Sequence, residues 1–274
     1  MVDYLKSHYP VSERRACQVV AVARSVQRYQ SIGDRHEPLR GRLRELATTR
    51  YRFGYRRLHV LLRREGYQAG KHLVYRLYRE EGLVLRPRRP RRHVSAARRQ
   101  PPKRGASHVN EAWSMDFVSD QLQNGNRFRA LTVVDVHTRE CLAIEPGRRL
   151  TGNDVVRILN RLGYTRGMPK RIYCDNGSEF TSHILDLWAY HNQVTMEFSR
   201  PGKPTDNGHI ESFNGRLRDE CLNAHWFRNL SDAKDKIETW RRDYNEARPH
   251  RALNYLTPNE FAARQENWSQ KTKP

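Results

Sequence analysis

The 274-residue sequence is poor in acids for the number of bases it carries, with 30 Asp and Glu against 51 Lys and Arg and a formal charge of +21. That deficit points to a polyanionic partner, with nucleic acid ahead of an acidic membrane surface or an acidic protein. Cysteine is scarce. Cys17, Cys141, Cys174 and Cys221 stand far apart without a Cys-x-x-Cys pair. This argues against a disulfide-stapled secreted scaffold and a Cys-type zinc finger, and favours a reduced cytoplasmic chain. No apolar run approaches the roughly 18–20 residues that span a bilayer. The opening MVDYLKSHYPVSERR has no apolar core of a signal peptide. There is no internal repeat, and no P-loop or Gly-x-Gly-x-x-Gly phosphate cradle.

The charge that is there is unevenly placed. Residues 1–107 hold 27 Lys and Arg against 8 Asp and Glu, a net +19, whereas residues 108–274 are close to balance at +2. Two parts with different partners are implied. The first reads as helical. Ser12 is a candidate N-cap for a helix over 13–23, and Ser25 for a short helix ending near Tyr29, a weak helix-turn-helix pattern. Leu39, Leu43 and Leu46 predict a helix over 37–49. Leu58, Leu61 and Leu62 predict one over 54–65 ended by Gly66. Leu73, Val74, Leu77 and Tyr78 predict one over 71–81 ended by Gly82. Short helices with arginine-rich outer faces suit a DNA groove, although a bundle with a merely solvated basic surface has the same pattern. Residues 86–107 are rich in arginine and proline, which predicts an extended linker that tracks phosphates or serves as a tether. The organisation expected is a partial helix-turn-helix segment at 1–30, a helical DNA-binding module at 31–85, the linker at 86–107 and a core at 108–270.

The core reads differently. Strands are expected at 112–118, 128–136, 140–145, 171–175 and 195–199, with a hairpin turn at Asn124-Gly125. Helices are expected at 153–162, 182–192, 210–222 and 231–246, the last capped by Ser231. The order β-β-β-α-β-α-β-α-α predicts a mixed sheet packed by helices.

Three acids stand out by position. Asp116 lies in the middle of an apolar strand, which aspartate does not favour, and a buried carboxylate needs a cation or donors nearby. Asp175 ends a strand before Asn176-Gly177, where a plain turn aspartate is the ordinary reading. Glu211 lies on a helix, where a glutamate is ordinarily a solvated surface residue. The combination changes the odds, because thirty-five residues separate Asp175 from Glu211 and the contexts WSMDF, YCDNGSEF and TDNGHIESFNGRLRDE are specific. With YRRLHVLLRREG, VYRLYREEGL, LTVVD, TREC, PGKP, YN, RPH and LTP, these stretches resemble, nearly end to end, the transposases of the insertion-sequence-three family. The narrower resemblance is to the family's second-reading-frame product, with the DDE catalytic core of retroviral-type integrases.

The resemblance implies a ribonuclease H-like α/β fold, a mixed five-stranded sheet with flanking helices, behind an all-α helix-turn-helix-type module. It implies that Asp116, Asp175 and Glu211 are catalytic and hold two Mg²⁺ ions, with Mn²⁺ as a substitute; hard cations take oxygen ligands. It also implies a basic residue seven positions after the glutamate, here Arg218, which shares a helix face with Glu211 and Asn214. The DNA-contact candidates are Arg218, Asn214, Lys203, Arg56, Arg57 and Lys71, with Arg88, Arg89, Arg91 and Arg92 in the linker. Asp135 is a rival acid whose face depends on the hairpin register. Cys174 reads as a packing residue, and His209 and His250 as either surface or DNA-contacting residues. The twelve histidines lack paired-ligand spacing, and the His/Cys zinc module of retroviral integrases is absent.

The activity implied is metal-dependent DNA cleavage and strand transfer, a polynucleotidyl transferase acting on an insertion sequence. The alternatives are a DNA-binding repressor derived from a transposase and a nuclease acting on RNA–DNA hybrids. The partners implied are element-end and target DNA and further copies of the chain on that DNA. An upstream-frame helix-turn-helix protein is implied as fusion or partner, and the setting as the bacterial cytoplasm in association with the nucleoid.

Overall fold

The structure is a computed structural model that describes residues 1–29, 35–85, 105–200 and 207–271, with side chains described as far as residue 265. It divides into two compact units, Met1–Glu45 and Leu46–Pro274. Five of the expected DNA-contacting residues, Arg88, Arg89, Arg91 and Arg92 of the linker and Lys203, lie outside the described residues.

The first unit contains α1 (Val2–His8), α2 (Glu13–Val19), α3 (Arg24–Gln27) and the start of α4 (Glu37–Thr49). The Ser12 hydroxyl caps α2 by accepting from the Arg15 amide at 3.3 Å. Helix α3 begins after Ala23, so Ser25 lies inside it rather than capping it. Val2, Ala16 and Cys17 form a small core with Leu5, Val11 and Val20. Glu13 reaches across to Arg28 at 2.7 Å and Arg24 at 3.5 Å.

The second unit opens with a helical pair, α5 (Tyr55–Arg64) and α6 (Lys71–Glu80), whose buried residues are Leu58 and Leu62 on one and Val74, Leu77 and Tyr78 on the other. Gly66 follows α5 at φ +93°, a backbone conformation that a side chain disfavours. Five strands follow: β1 (Ala112–Gln121), β2 (Arg127–Asp135), β3 (Cys141–Gly147), β4 (Arg171–Cys174) and β5 (Thr195–Phe198). The sheet order is β3-β2-β1-β4-β5. β1, β2 and β3 run as an antiparallel meander, and β4 and β5 add parallel to β1.

Alternation along β1 divides the core. Trp113 and Met115 face α7 (Gly152–Arg166) and α8 (His183–His191), packing with Val155, Leu159, Leu185 and Trp188. The opposite side chains, with Val118 among them, face α9 (Gly208–Glu220) and α10 (Leu230–Glu246), meeting Ile210, Phe213, Leu217 and Tyr244. Thr151 and Asp154 form a reciprocal capping box at the start of α7. The cap of α10 is Asn229, which accepts from the Asp232 amide, and Ser231 is already inside the helix. Helices α1 and α11 (Pro258–Lys271) have no counterpart in the sequence-based reading.

The stretch from Arg50 through α5 is fastened to the sheet half by ion pairs and a hydrogen bond. Arg50 forms a two-pronged pair with Asp243, and the Tyr51 hydroxyl donates to the Asp219 carbonyl. Arg64 bonds Glu260 at 2.7 Å. Arg248, only 2% exposed at its side chain, holds Glu220 through two bonds of 2.8 and 2.6 Å, with Arg57 4.0 Å away on the same carboxylate. Part of the basic excess read from the sequence is therefore structural.

Candidate active site

Asp116 lies on the α9 side of β1, opposite Thr132 on β2. Its Oδ1 accepts from the Phe117 amide at 2.7 Å and its Oδ2 from the Asn214 side chain at 2.8 Å. The Thr132 hydroxyl sits 3.0 Å from the Asp116 carbonyl and 2.9 Å from Asn214 Oδ1, and its one hydrogen serves either. The parallel pairing of β1 with β4 matches Ser114 to Tyr173. Carried two residues further, that register sets Asp116 beside Asp175. Asp175 is exposed, its Oδ1 accepting from the Gly177 amide at 3.0 Å. Asn176 ties this turn to the end of β5 by donating to the Ser199 carbonyl at 2.8 Å. Glu211 is on the first turn of α9, one turn before Asn214, with its side chain exposed.

Electrostatics connects the three. Burial pushes the Asp116 carboxyl up to about 6, and the negative charges of Asp175 and Glu211 add to that push against the Phe117 and Asn214 hydrogen bonds. Partial desolvation raises Glu211 as well. Among the described residues no three His, Cys, Asp or Glu side chains close into a ready-made metal cage. What the three acids offer is an open, oxygen-only set in which Asp175 and Glu211 press on the buried Asp116, the donor chemistry that suits a hard divalent cation.

The surroundings hold this set in place. Phe117 stacks on Phe180 with ring centroids 5.0 Å apart, and the Arg129 guanidinium lies 4.2 Å over Phe117 while pairing with Glu179. The DNGSEF turn is thereby clamped to β2. Sequence reasoning did not find Arg129 or Glu179, and only their flanking of the motif could have hinted at them.

The rival acid is resolved by the register. Asp135 is opposite Trp113, on the face away from Asp116, and its carboxylate takes the amides of Asn110, His137 and Thr138 at 2.8 Å each. It is a buried turn-builder. Cys174 is buried in the core. His250 is buried as well, which removes the surface role. His209 lies against Arg139.

The basic candidates separate. Arg218 is exposed beside the outer end of β1, donating to the Ser119 carbonyl at 3.0 Å. Asn214 is engaged with Asp116 and Thr132. Arg56, stacked on Tyr55, and Lys71 are exposed at the first turns of α5 and α6. Arg57 instead turns inward over Phe53 at 5.1 Å, where burial and the neighbouring Arg248 lower it to about 10.

The chain matches the integrase core domain over residues 106–204, with a second integrase core match over 192–258, and an HTH-like domain over 34–91. It is 53% identical over 255 residues to the insertion element IS407 31.7 kDa protein of Burkholderia multivorans, covering 93% of this chain and 91% of that one. The chain belongs to the insertion-sequence-three family of transposases. A second member of the family, the insertion element IS476 39.2 kDa protein of Xanthomonas euvesicatoria, is 44% identical over 93% of this chain and 74% of its own. The putative transposase InsK of element IS150 from Escherichia coli K12 is 27% identical over 95% and 96%. Among solved structures, the fold is similar to that of a chain in a simian T-cell lymphotropic virus intasome, with a TM-score of 0.51 at 16% identity, over 80% of this chain and 74% of that one. The family's helix-turn-helix-like match falls on α4–α6. No helix among the described residues is long and apolar enough to cross a membrane.

Proposed function

We propose that this transposase cuts DNA at the ends of its insertion element and joins the freed 3′-hydroxyls to target DNA, with Asp116, Asp175 and Glu211 as the residues that hold divalent metal. The observation that carries the reading is Asp116. A carboxyl in mid-strand, held up to about 6 by burial and by two neighbouring acids, is costly without a cation to meet it. Two Mg²⁺ ions, or Mn²⁺ in their place, would supply the Lewis acidity that activates the attacking oxygen and stabilises the leaving one.

The chain's own residues do the positioning. Asn214 fixes the orientation of the Asp116 carboxylate, and the Gly177 amide fixes that of Asp175. Arg218, two turns beyond Glu211 on the same face of α9, would meet a strand phosphate. In cleavage the water oxygen bonds to phosphorus as the P–O3′ bond breaks, leaving a 3′-hydroxyl and a 5′-phosphate. In strand transfer that 3′-oxygen bonds to a target phosphorus and displaces its 3′-oxygen. Each attacking hydroxyl loses one proton and each leaving oxygen gains one. No protein nucleophile is required. Burial raises the thiols of Cys141, far above its usual value, and Cys221, to about 12, which keeps both protonated.

The exposed bases Arg56 and Lys71, with Lys203, Arg88, Arg89, Arg91 and Arg92, are assigned to DNA contact on their charge. Pairing two element ends calls for further copies of this chain on the DNA, and an upstream-frame helix-turn-helix protein is the partner that would add end recognition. The setting is the bacterial cytoplasm at the nucleoid. Presence of all three acids speaks for the enzyme over a repressor. The test is a metal-dependent nicking assay on element-end DNA with Asp116→Asn, Asp175→Asn and Glu211→Gln, each expected to lose cleavage and keep DNA binding.

A further inference from the structure

On the flank of α9 next to the three acids, the structure holds a cavity of about 220 Å³ with a composition unlike theirs. Gly208, Ser212 and Arg216 line it from one stripe of α9, adjacent to the stripe that carries Glu211, Asn214 and Arg218. Arg139, Tyr244 and His250 close it from the other side. No carboxylate lines it.

Four observations say what it would take. Arg139 stands at φ +64°, a backbone conformation a non-glycine residue adopts only when its surroundings enforce it. The tight turn that enforces it, built on Asp135, brings the half-buried Arg139 side chain to the wall of the cavity, where one guanidinium nitrogen bonds the His209 ring and the rest of the guanidinium is left for a ligand. Arg216 has no hydrogen-bond or ion-pair partner among the described residues. His250, 6% exposed, has its Nε2 buried without a partner. The first turn of α9 has no side-chain cap, because Asn207 accepts instead from the Ser114 hydroxyl at 2.7 Å. The nearby acids are already engaged: Glu220 by Arg248 and Arg57, and Asp135 by three amides. Burial and the charges of Arg248, Arg216, Arg57 and Arg139 press the His250 ring down to about 2, as expected of a strongly positive enclosure.

We propose that this cavity seats a backbone phosphate of the DNA strand passing the active site, gripped by Arg139 and Arg216 with the His250 ring as a third donor. The proposal rests on the DNA-cleaving reading above and adds a second anchoring point to it. Convergent cationic donors on an uncapped helix start suit a tetrahedral oxyanion, and guanidinium groups suit its paired oxygens. Positioned next to Glu211 but off its face, the cavity would hold a phosphate flanking the one that reacts.

The test compares wild type, Arg216→Gln and Arg216→Lys in a salt titration of binding to a short element-end duplex, with folding checked by circular dichroism. Wild type is then measured on duplexes carrying one neutral methylphosphonate at each position in turn. Loss of one phosphate contact lowers the magnitude of the salt slope by about 1 and weakens binding uniformly across sequences. Arg216→Gln is expected to bind about 5- to 20-fold more weakly with that lowered slope, and Arg216→Lys to restore the slope. One methylphosphonate that weakens wild type is expected to leave Arg216→Gln unaffected. A thermal shift with inorganic phosphate separates the sources: stabilisation of wild type by millimolar phosphate, with no DNA effect of Arg216→Gln, assigns the cavity to a free anion and overturns the proposal. If wild type binds DNA and Arg216→Gln matches it in affinity, slope and methylphosphonate map, the cavity proposal fails alone. If wild type binds no DNA, the reading it rests on fails with it.

Discussion

The side-chain amide of Asn214 on α9 donates to Asp116 Oδ2 on β1 at 2.8 Å, joining the helix that carries Glu211 to the strand at the centre of the sheet. A carboxylate held by an oriented amide presents its remaining lone pairs in one direction. Losing such a support around metal-holding groups costs about 10- to 100-fold in metal affinity or activity. Asn214→Ala is therefore expected to raise the Mg²⁺ concentration for half-maximal cleavage by about tenfold or more, with DNA affinity little changed. A titration of cleavage against Mg²⁺ checks this. A loss of activity with the Mg²⁺ midpoint unmoved would show that Asn214 serves only packing.

Asp116 has a consequence for stability. Its carboxyl is raised from 3.8 to about 6 in the folded chain. The folded state thus binds its proton more tightly than the unfolded chain, and stability falls as pH rises from about 4 through 6. Without metal, Asp116→Asn is expected to melt higher than wild type at pH 8, by roughly 1 kcal/mol once lost hydrogen bonding is allowed for. The two are expected to converge at pH 4. Adding Mg²⁺ should raise the melting temperature of wild type more than that of the variant. Differential scanning fluorimetry at the two pH values, with and without metal, reads all three.

The Arg248–Glu220 pair is deeply placed, with Arg57 on the same carboxylate. Removing one partner of a buried pair typically costs about 3–5 kcal/mol because the other charge is left without compensation. Glu220→Ala leaves two arginines in that position and is expected to destabilise by about 3 kcal/mol, seen as a lower urea midpoint.

The arginines of α5 differ in what they do. Arg56 faces solvent, whereas Arg64 is bonded to Glu260. Arg56→Gln is expected to lower the magnitude of the salt slope of DNA binding by about 1. Arg64→Gln should leave the slope unchanged and lower the melting temperature. Equal effects of both on the slope would contradict this separation.

The candidate acids could be picked out before the fold. The contexts of Asp116, Asp175 and Glu211, and the i, i+3, i+7 spacing of Glu211, Asn214 and Arg218, carried them, because helix period and motif context are local properties. Long-range pairing was not legible. The face of Asp135 turned on a register that the hairpin leaves open by one residue, and the pairing of Trp113 with Asp135 decides it. Nor does a sequence say which arginines turn inward. Arg50, Arg57 and Arg64 read like Arg56 in a charge count, yet their acids, Asp243, Glu220 and Glu260, lie far along the chain. Asn229, rather than Ser231, caps α10 because either side chain could take that position and the helix start selects one. Asn214 read as a DNA contact, and its bond to Asp116, which only the fold brings together, was not legible.

The most direct measurement is cleavage of a labelled element-end duplex by the full chain in Mg²⁺, in EDTA, and with Asp116→Asn, Asp175→Asn and Glu211→Gln, alongside binding to the same duplex. The expected result is a 3′-hydroxyl product formed by wild type in Mg²⁺ alone, and none from any of the three variants, all of which still bind. Cleavage in EDTA, or wild-type cleavage by any one of the three variants, would contradict the account.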